Sequence, residues 1–161
     1  MTYKETLFFI WKCLTINHEE HNKILVENEL KSGVINWDAV VKVSTGNLVC
    51  PSLYVNLKRA DFLNYLPSEL VEYMKHITDL NRERNQKIVT QAKEINELLV
   101  SNSITPIFLK GTGNLLEDLY EDIAERMVGY IDFIFSKEEY PKAIAILTNF
   151  GYSKVHDTTY D

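Results

Sequence analysis

The chain has 161 residues, 45% of them hydrophobic and 25% charged, with a formal net charge of -6. That length is one domain, or one domain with a helical attachment, and the apolar share is enough for a packed core. The acidic balance argues against non-specific binding to nucleic acid or to an anionic membrane, both of which need a basic surface, but leaves room for a nucleotide held by a local cation and metal site.

The two cysteines, Cys13 and Cys50, lie in separate apolar segments with no CxxC or Cys/His ligand pattern. They read as buried free thiols of a reducing cytoplasm. The apolar run from Leu7 to Ile10 is ended by Lys12, far short of a signal core. No run approaches the ~20 apolar residues of a membrane span. The expectation is a cytoplasmic protein.

In chain order, Leu7, Phe8, Trp11 and Leu14 recur at helical spacing and predict one apolar face of a first helix over 3–14. Asn17 is placed to cap a second helix, with Glu19 and Glu20 in its first turn and Gly33 as its stop. Asn36 caps a third helix carrying Trp37, Val40 and Val41. Pro51 suits the first turn of a fourth, with Leu53, Tyr54 and Leu57. Pro67-Ser68 opens the longest helical signal, in which Leu70, Met74, Ile77, Ile88, Ala92, Ile95 and Leu99 recur at steps of three and four. One uninterrupted helix there would span ~50 Å, and a break near 81–85 is the alternative. Arg84 and Asn85 read either as a solvated face or as contacts to the far side of a substrate site.

After Ser103 the period changes. Thr105 to Leu109 predicts a short strand, Gly111-Thr-Gly113 a turn, 114–125 a helix, and Tyr130 to Phe135 a second strand. Ser136 and Glu139 form a capping box for a helix that stops at Gly151. Residues 152–159 alternate as a third strand. The expected fold class is α+β, with a helical region over 1–102 and a β-α-β-α-β unit over 103–161.

Three features could carry chemistry. Lys110-Gly-Thr-Gly-Asn114 follows a strand and precedes a helix, so its glycines let the backbone approach a ligand and the next helix offers free amides to a phosphate. Alone it is also what a plain strand-to-helix turn looks like, and it is neither a Walker loop nor a dinucleotide fingerprint. Asp132 sits between strong β-formers, with Tyr130 and Ile134 on its face and Ile131, Phe133 and Phe135 on the other. A carboxylate there wants a metal, a substrate or an arginine, and Arg126 is the nearest candidate partner. The acidic run Glu117, Asp118, Glu121, Asp122 and Glu125 reads as a solvated helix face. His18, His21, His76 and His156 make no ligand set with a nearby acid.

In order and spacing, Leu109-Lys110-Gly111, Leu119-Tyr120, Arg126, Ile131-Asp132-Phe133 and Gly151-Tyr152 resemble the uncharacterised nucleotidyltransferase family of bacterial proteins, within the DNA polymerase β-like superfamily. The lead-in Ile35-Asn36-Trp37-Asp38, Pro51-Ser52-Leu53 and Arg84-Asn85 is similar too, so the resemblance covers nearly the whole chain. It implies an Asp-x-Asp pair holding Mg²⁺ on a nucleoside triphosphate while a hydroxyl attacks the α-phosphate. On this chain it implies Asp132 as catalytic residue and metal ligand, Gly111, Thr112 and Gly113 at the phosphates, and Lys110 and Arg126 as charge partners. The reaction implied is transfer of a nucleoside monophosphate to an unknown hydroxyl acceptor.

Two departures stand against that pattern. Tyr130 occupies the place of the first aspartate, and a neutral phenol is a poor Mg²⁺ ligand, so the cofactor is expected to bind weakly or not at all. The chain ends at Asp161, ahead of the strand that would bring a third carboxylate, and Asp157 falls too early to supply it. The sequence therefore reads as the front half of a longer family member, with an incomplete nucleotidyltransferase-type unit. The alternatives are a catalytically silent relative that binds a nucleotide or a protein, and a helical adaptor with the αβ unit as scaffold. An incomplete sheet leaves an open edge and an uncovered apolar face, from which a homodimer is expected.

Overall fold

A computed structural model describes residues 1–153. Four helices come first: α1 (Tyr3–Thr15), α2 (Glu20–Ser32), α3 (Trp37–Gly46) and α4 (Cys50–Arg59). Their ends follow local chemistry. Thr2 and Glu5 form a capping box at the start of α1. Gly33 ends α2 at φ 68, the left-handed conformation that glycine adopts without cost. The Asn36 side chain accepts the amide of Ala39 at the start of α3, and Pro51 occupies the first turn of α4. Asn17, expected as a cap, has another role. Glu19 stands at that position without a side-chain cap bond, while the Asn17 amide donates to Asn56 Oδ1 at 2.7 Å. It ties α1's exit to α4.

The long signal is one helix, α5 (Ser68–Ser101), 34 residues without a break. Its polar middle is not a hinge, because Asn81 and Asn85 are buried there against another segment. The first core lies among α1 to α4 and the front of α5, built on Phe9, Ile16, Leu53, Leu57 and Met74. Cys13 and Cys50 are buried free thiols within it. Of the expected face of α1, only Leu14 packs against this core. Thr6, Phe9, Ile10 and Cys13 point inward, while Leu7, Phe8 and Trp11 are exposed. Apolar residues recur at steps of three and four on both sides of this helix, so periodicity alone could not choose.

The far end of α5 carries the αβ part. It contains β1 (Ile107–Phe108), α6 (Lys110–Leu116), β2 (Phe133–Ile134) and α7 (Tyr140–Phe150). The strands pair antiparallel, Ile107 with Ile134 and Phe108 with Phe133. Both are shorter than the sequence suggests. The second core joins Ile95, Leu99 and Ile104 to Ala143, with Ile131, Phe133 and Phe135 packed on it. The inward and outward alternation along 130–135 is therefore as expected: Tyr130 is 81% and Ile134 51% exposed. Ser136 and Glu139 form their capping box, and Gly151 ends α7 at φ 113.

The expected helix over 114–125 does not form. α6 starts earlier and ends at Leu116. Asp118 then takes a left-handed φ of 50, and only Ile123–Glu125 makes a further helical turn. The fold is α+β and mostly helical, with a two-stranded antiparallel sheet among the described residues. Residues 154–161, and with them most of the expected third strand and Asp157, lie outside the described residues.

Candidate functional site

The strand β1 delivers Leu109 to the edge of β2, where its amide donates to Asp132 O at 2.8 Å. The chain then turns at Lys110, not at the glycines. Lys110 has φ 51, a conformation that costs a non-glycine residue roughly 1–2 kcal/mol. This turn throws the Lys110 side chain over β2. Its Nζ lies 3.4 Å from Asp132 Oδ2, and both side chains are accessible, at 73% and 40% exposure. Lys110, rather than Arg126, is thus the carboxylate's partner. Arg126 is exposed and has no ion pair among the described residues.

Gly111, Thr112 and Gly113 lie inside the first turns of α6. A Cβ on Gly113 would sit 2.9 Å from Phe108 O, and one on Gly111 would sit 2.8 Å from a Val128 methyl. Both glycines therefore answer to packing between α6 and its neighbours. Thr112 is buried, and its hydroxyl donates to Tyr130 O at 2.9 Å. Its side chain is committed to holding the strand that carries Asp132. What this segment leaves for a ligand is the Lys110 ammonium and the first-turn amides, which have no acceptor within the helix.

The acidic run is not a solvated helix face. Arg82 from α5 holds Asp122 through two bonds, 2.8 Å to Oδ2 and 3.2 Å to Oδ1. Arg59 from α4 reaches Glu125 at 2.6 Å and Glu121 at 3.2 Å. Burial alone would raise the Asp122 carboxyl, but the Arg82 guanidinium and the Ala124 amide together hold it below the usual carboxylate range. These acids fasten the 117–126 segment to the helices and do not supplement Asp132. No group of three His, Cys, Asp or Glu residues among the described residues could hold a metal ion by itself.

Arg84 and Asn85 are the residues whose role the sequence left open, and Asn81 was assigned none. Asn85 is fully buried and donates to the carbonyls of Ile123 and Arg126, each at 2.6 Å. Asn81 donates to those of Ala124 and Arg126, at 2.7 and 3.1 Å. The pair clamps the backbone that leads into the Asp132 strand. Two asparagines one turn apart in the polar middle of a long helix were the available signal. Arg84, beside them, is exposed.

The structure thus brings Lys110 to Asp132 on accessible surface, with Tyr130 exposed two residues before Asp132, and leaves Arg126 nearby in sequence without a contact to Asp132. A family model described as "Uncharacterised nucleotidyltransferase" matches residues 33–161. No curated protein and no solved structure matches the chain. No described helix is long and apolar enough to cross a membrane.

Proposed function

The chain belongs to the uncharacterised nucleotidyltransferase family, and on that premise we propose that it binds a nucleoside triphosphate with Mg²⁺ on the face formed by Lys110 and Asp132. The observation that carries this reading is the Lys110–Asp132 pair. It is a cation and a carboxylate side by side on an accessible strand edge, neither buried nor locked by further partners. Lys110 suits the triphosphate, with the exposed Arg126 as a second cation. Gly111 and Thr112 contribute through backbone amides, since their side-chain positions are taken up by packing, whereas the Gly113 amide donates to Leu109 O at 3.2 Å and is not free for a phosphate.

The donor set fits a metal only with help from the ligand. Asp132 offers one carboxylate and Tyr130 a neutral phenol, and Mg²⁺ is commonly held by one or two carboxylates plus substrate phosphates. Bound there, Mg²⁺ would neutralise phosphate charge. Asp132 would be its sole protein carboxylate, and Lys110 would exchange the carboxylate for a phosphate oxygen. One carboxylate is enough for binding and poor for catalysis, so binding is the function best supported. Transfer of a nucleoside monophosphate to an acceptor hydroxyl is the second reading, favoured by the accessibility of Asp132.

Thermal shift tests the binding reading. The chain and Tyr130→Asp are each heated with ATP, CTP, GTP or UTP, with and without Mg²⁺. A ligand at ~100 times its dissociation constant stabilises by about 2.7 kcal/mol, a rise of roughly 5–10 °C at this size. A Mg²⁺-dependent rise in the natural chain that Asp132→Ala abolishes is expected. A rise confined to Tyr130→Asp would mean a site that has lost its ligand. No rise in either would refute the proposal.

A further inference from the structure

The segment 126–132 runs beside the first turn of α6 and meets it at alternate residues. Val128 packs on Gly111, where an added Cβ would stand 2.8 Å from a Val128 methyl. Tyr130 O accepts the Thr112 hydroxyl at 2.9 Å, and Asp132 Oδ2 lies 3.4 Å from Lys110 Nζ. Arg126 is the next residue back in that series. Its backbone is extended, at φ -102 and ψ 123. About 7 Å of extended chain separates it from Val128, a gap that an arginine side chain can itself span. The Arg126 side chain is exposed and has no ion pair among the described residues.

The main chain of Arg126 is held from α5. Asn85 donates to Arg126 O at 2.6 Å, and Asn81 donates to the same oxygen at 3.1 Å. Both asparagines are buried, and their amide oxygens accept from no described group. Their side-chain bonding is therefore all donation, to Arg126 O and to the carbonyls of Ile123 and Ala124. The ion pairs of this segment stop short of residue 126. Arg82 ends on Asp122, and Arg59 ends on Glu121 and Glu125. Of the side-chain bonds described for the segment, those of the asparagines are the ones that reach Arg126. Two donors converging on one carbonyl fix the residue from which the guanidinium departs.

We propose that Asn81 and Asn85 are positioning residues, which hold Arg126 so that its guanidinium meets the phosphates of the ligand beside Lys110. The proposal rests on the nucleotide reading above. The two cations would divide the work. Lys110 is a point charge, whereas a guanidinium presents a planar fork that binds a phosphate through two parallel bonds. Such a fork is useful only when it is aimed, because ordering a long side chain on a loose backbone subtracts from the affinity. The contact is to phosphate and blind to the base. Inorganic tripolyphosphate with Mg²⁺ should therefore feel it as ATP does.

A double-mutant cycle separates positioning from support. Calorimetry gives Kd for Mg²⁺-ATP and Mg²⁺-tripolyphosphate with the natural chain, Arg126→Ala, Asn81→Ala and the double variant, each well below its own Tm. Arg126→Ala, at the surface, should leave Tm unchanged and weaken both ligands about 10- to 100-fold, the loss of a charge-assisted contact. Asn81→Ala should lower Tm and weaken both ligands as well. The double variant should bind no more weakly than Arg126→Ala, while its loss in Tm persists. A clamp that is merely structural would not give this coupling. The cycle is repeated with Asn85→Ala, so that one variant that does not fold leaves the other to decide. Arg126→Ala that binds both ligands like the natural chain, or losses of affinity that add in the double variant, would overturn the proposal and leave the nucleotide reading standing. A natural chain that binds neither ligand would overturn both.

Discussion

Replacing Gly113 by alanine pits two effects of opposite sign against each other. By helix propensity alone, alanine inside α6 should stabilise by about 1 kcal/mol. The new Cβ, however, would stand 2.9 Å from Phe108 O and 3.3 Å from its carbonyl carbon. That carbonyl cannot retreat cheaply. Phe108 is paired with Phe133 in the sheet, and the next amide, Leu109 N, bonds Asp132 O at 2.8 Å. Overpacking against a fixed neighbour costs about 1–3 kcal/mol. With backbone as the obstacle the upper end applies, for a net loss of about 2 kcal/mol. In a chain of this length that lowers Tm by roughly 4–8 °C. Gly111→Ala meets a side chain instead, a Val128 methyl at 2.8 Å, so Val128→Ala should relieve most of its cost while leaving Gly113→Ala uncorrected. Thermal unfolding followed by circular dichroism reads all four variants. A Gly113→Ala protein as stable as the natural chain, or more so, would refute the close approach of α6 to β1 on which the reasoning rests.

Three further outcomes follow from the same packing. Asn85→Ala removes two short bonds to the carbonyls of Ile123 and Arg126. It should cost about 2–4 kcal/mol in urea titration, against almost nothing for the exposed Thr90→Ala. Because Asp122 titrates below its unfolded value of about 3.9, its contribution is complete above about pH 4 and is lost as pH falls further. Acid titrations of stability should show that loss, and Asp122→Asn should flatten it. Burial pushes the Cys13 thiol well up, with the Glu29 charge adding to it, and burial raises Cys50 too. A thiol reagent at neutral pH should therefore label neither in the folded chain and both once it is unfolded.

Much of the helical half was legible because its ends are written in local chemistry. Gly33, Asn36 and Pro51 each do what a stop, cap or first-turn residue does, and Gly151 does the same for α7 in the αβ part. The alternation around Asp132 was legible for the same reason, since it needs only period two and a core on one side. What failed depended on contacts far away in sequence. Asn17 has a capping side chain, but Asn56 outcompetes the local amides for it. The acids of 117–125 carry helical spacing, yet Arg59 and Arg82 draw Asp122, Glu121 and Glu125 into an irregular segment fastened to α4 and α5. Arg126 looked like the partner of Asp132 by sequence distance. The left-handed turn at Lys110 brings a nearer ammonium, and no residue type there announces it.

The single long helix has a dynamic consequence. Its front half is part of one core and its last three turns are part of another, while its backbone is one continuous ladder. The larger core can thus hold while the smaller one opens. Amide hydrogen exchange should then change along one helix: slowest around Met74 to Asn85, where only global unfolding exposes the backbone, and faster near Ile95 to Ser101, where melting of the sheet is enough. Such a gradient would make α5 a ruler on which the stabilities of the two halves are read side by side. A nucleotide bound at Lys110 and Asp132 would announce itself as slowed exchange at the far end of the ruler alone.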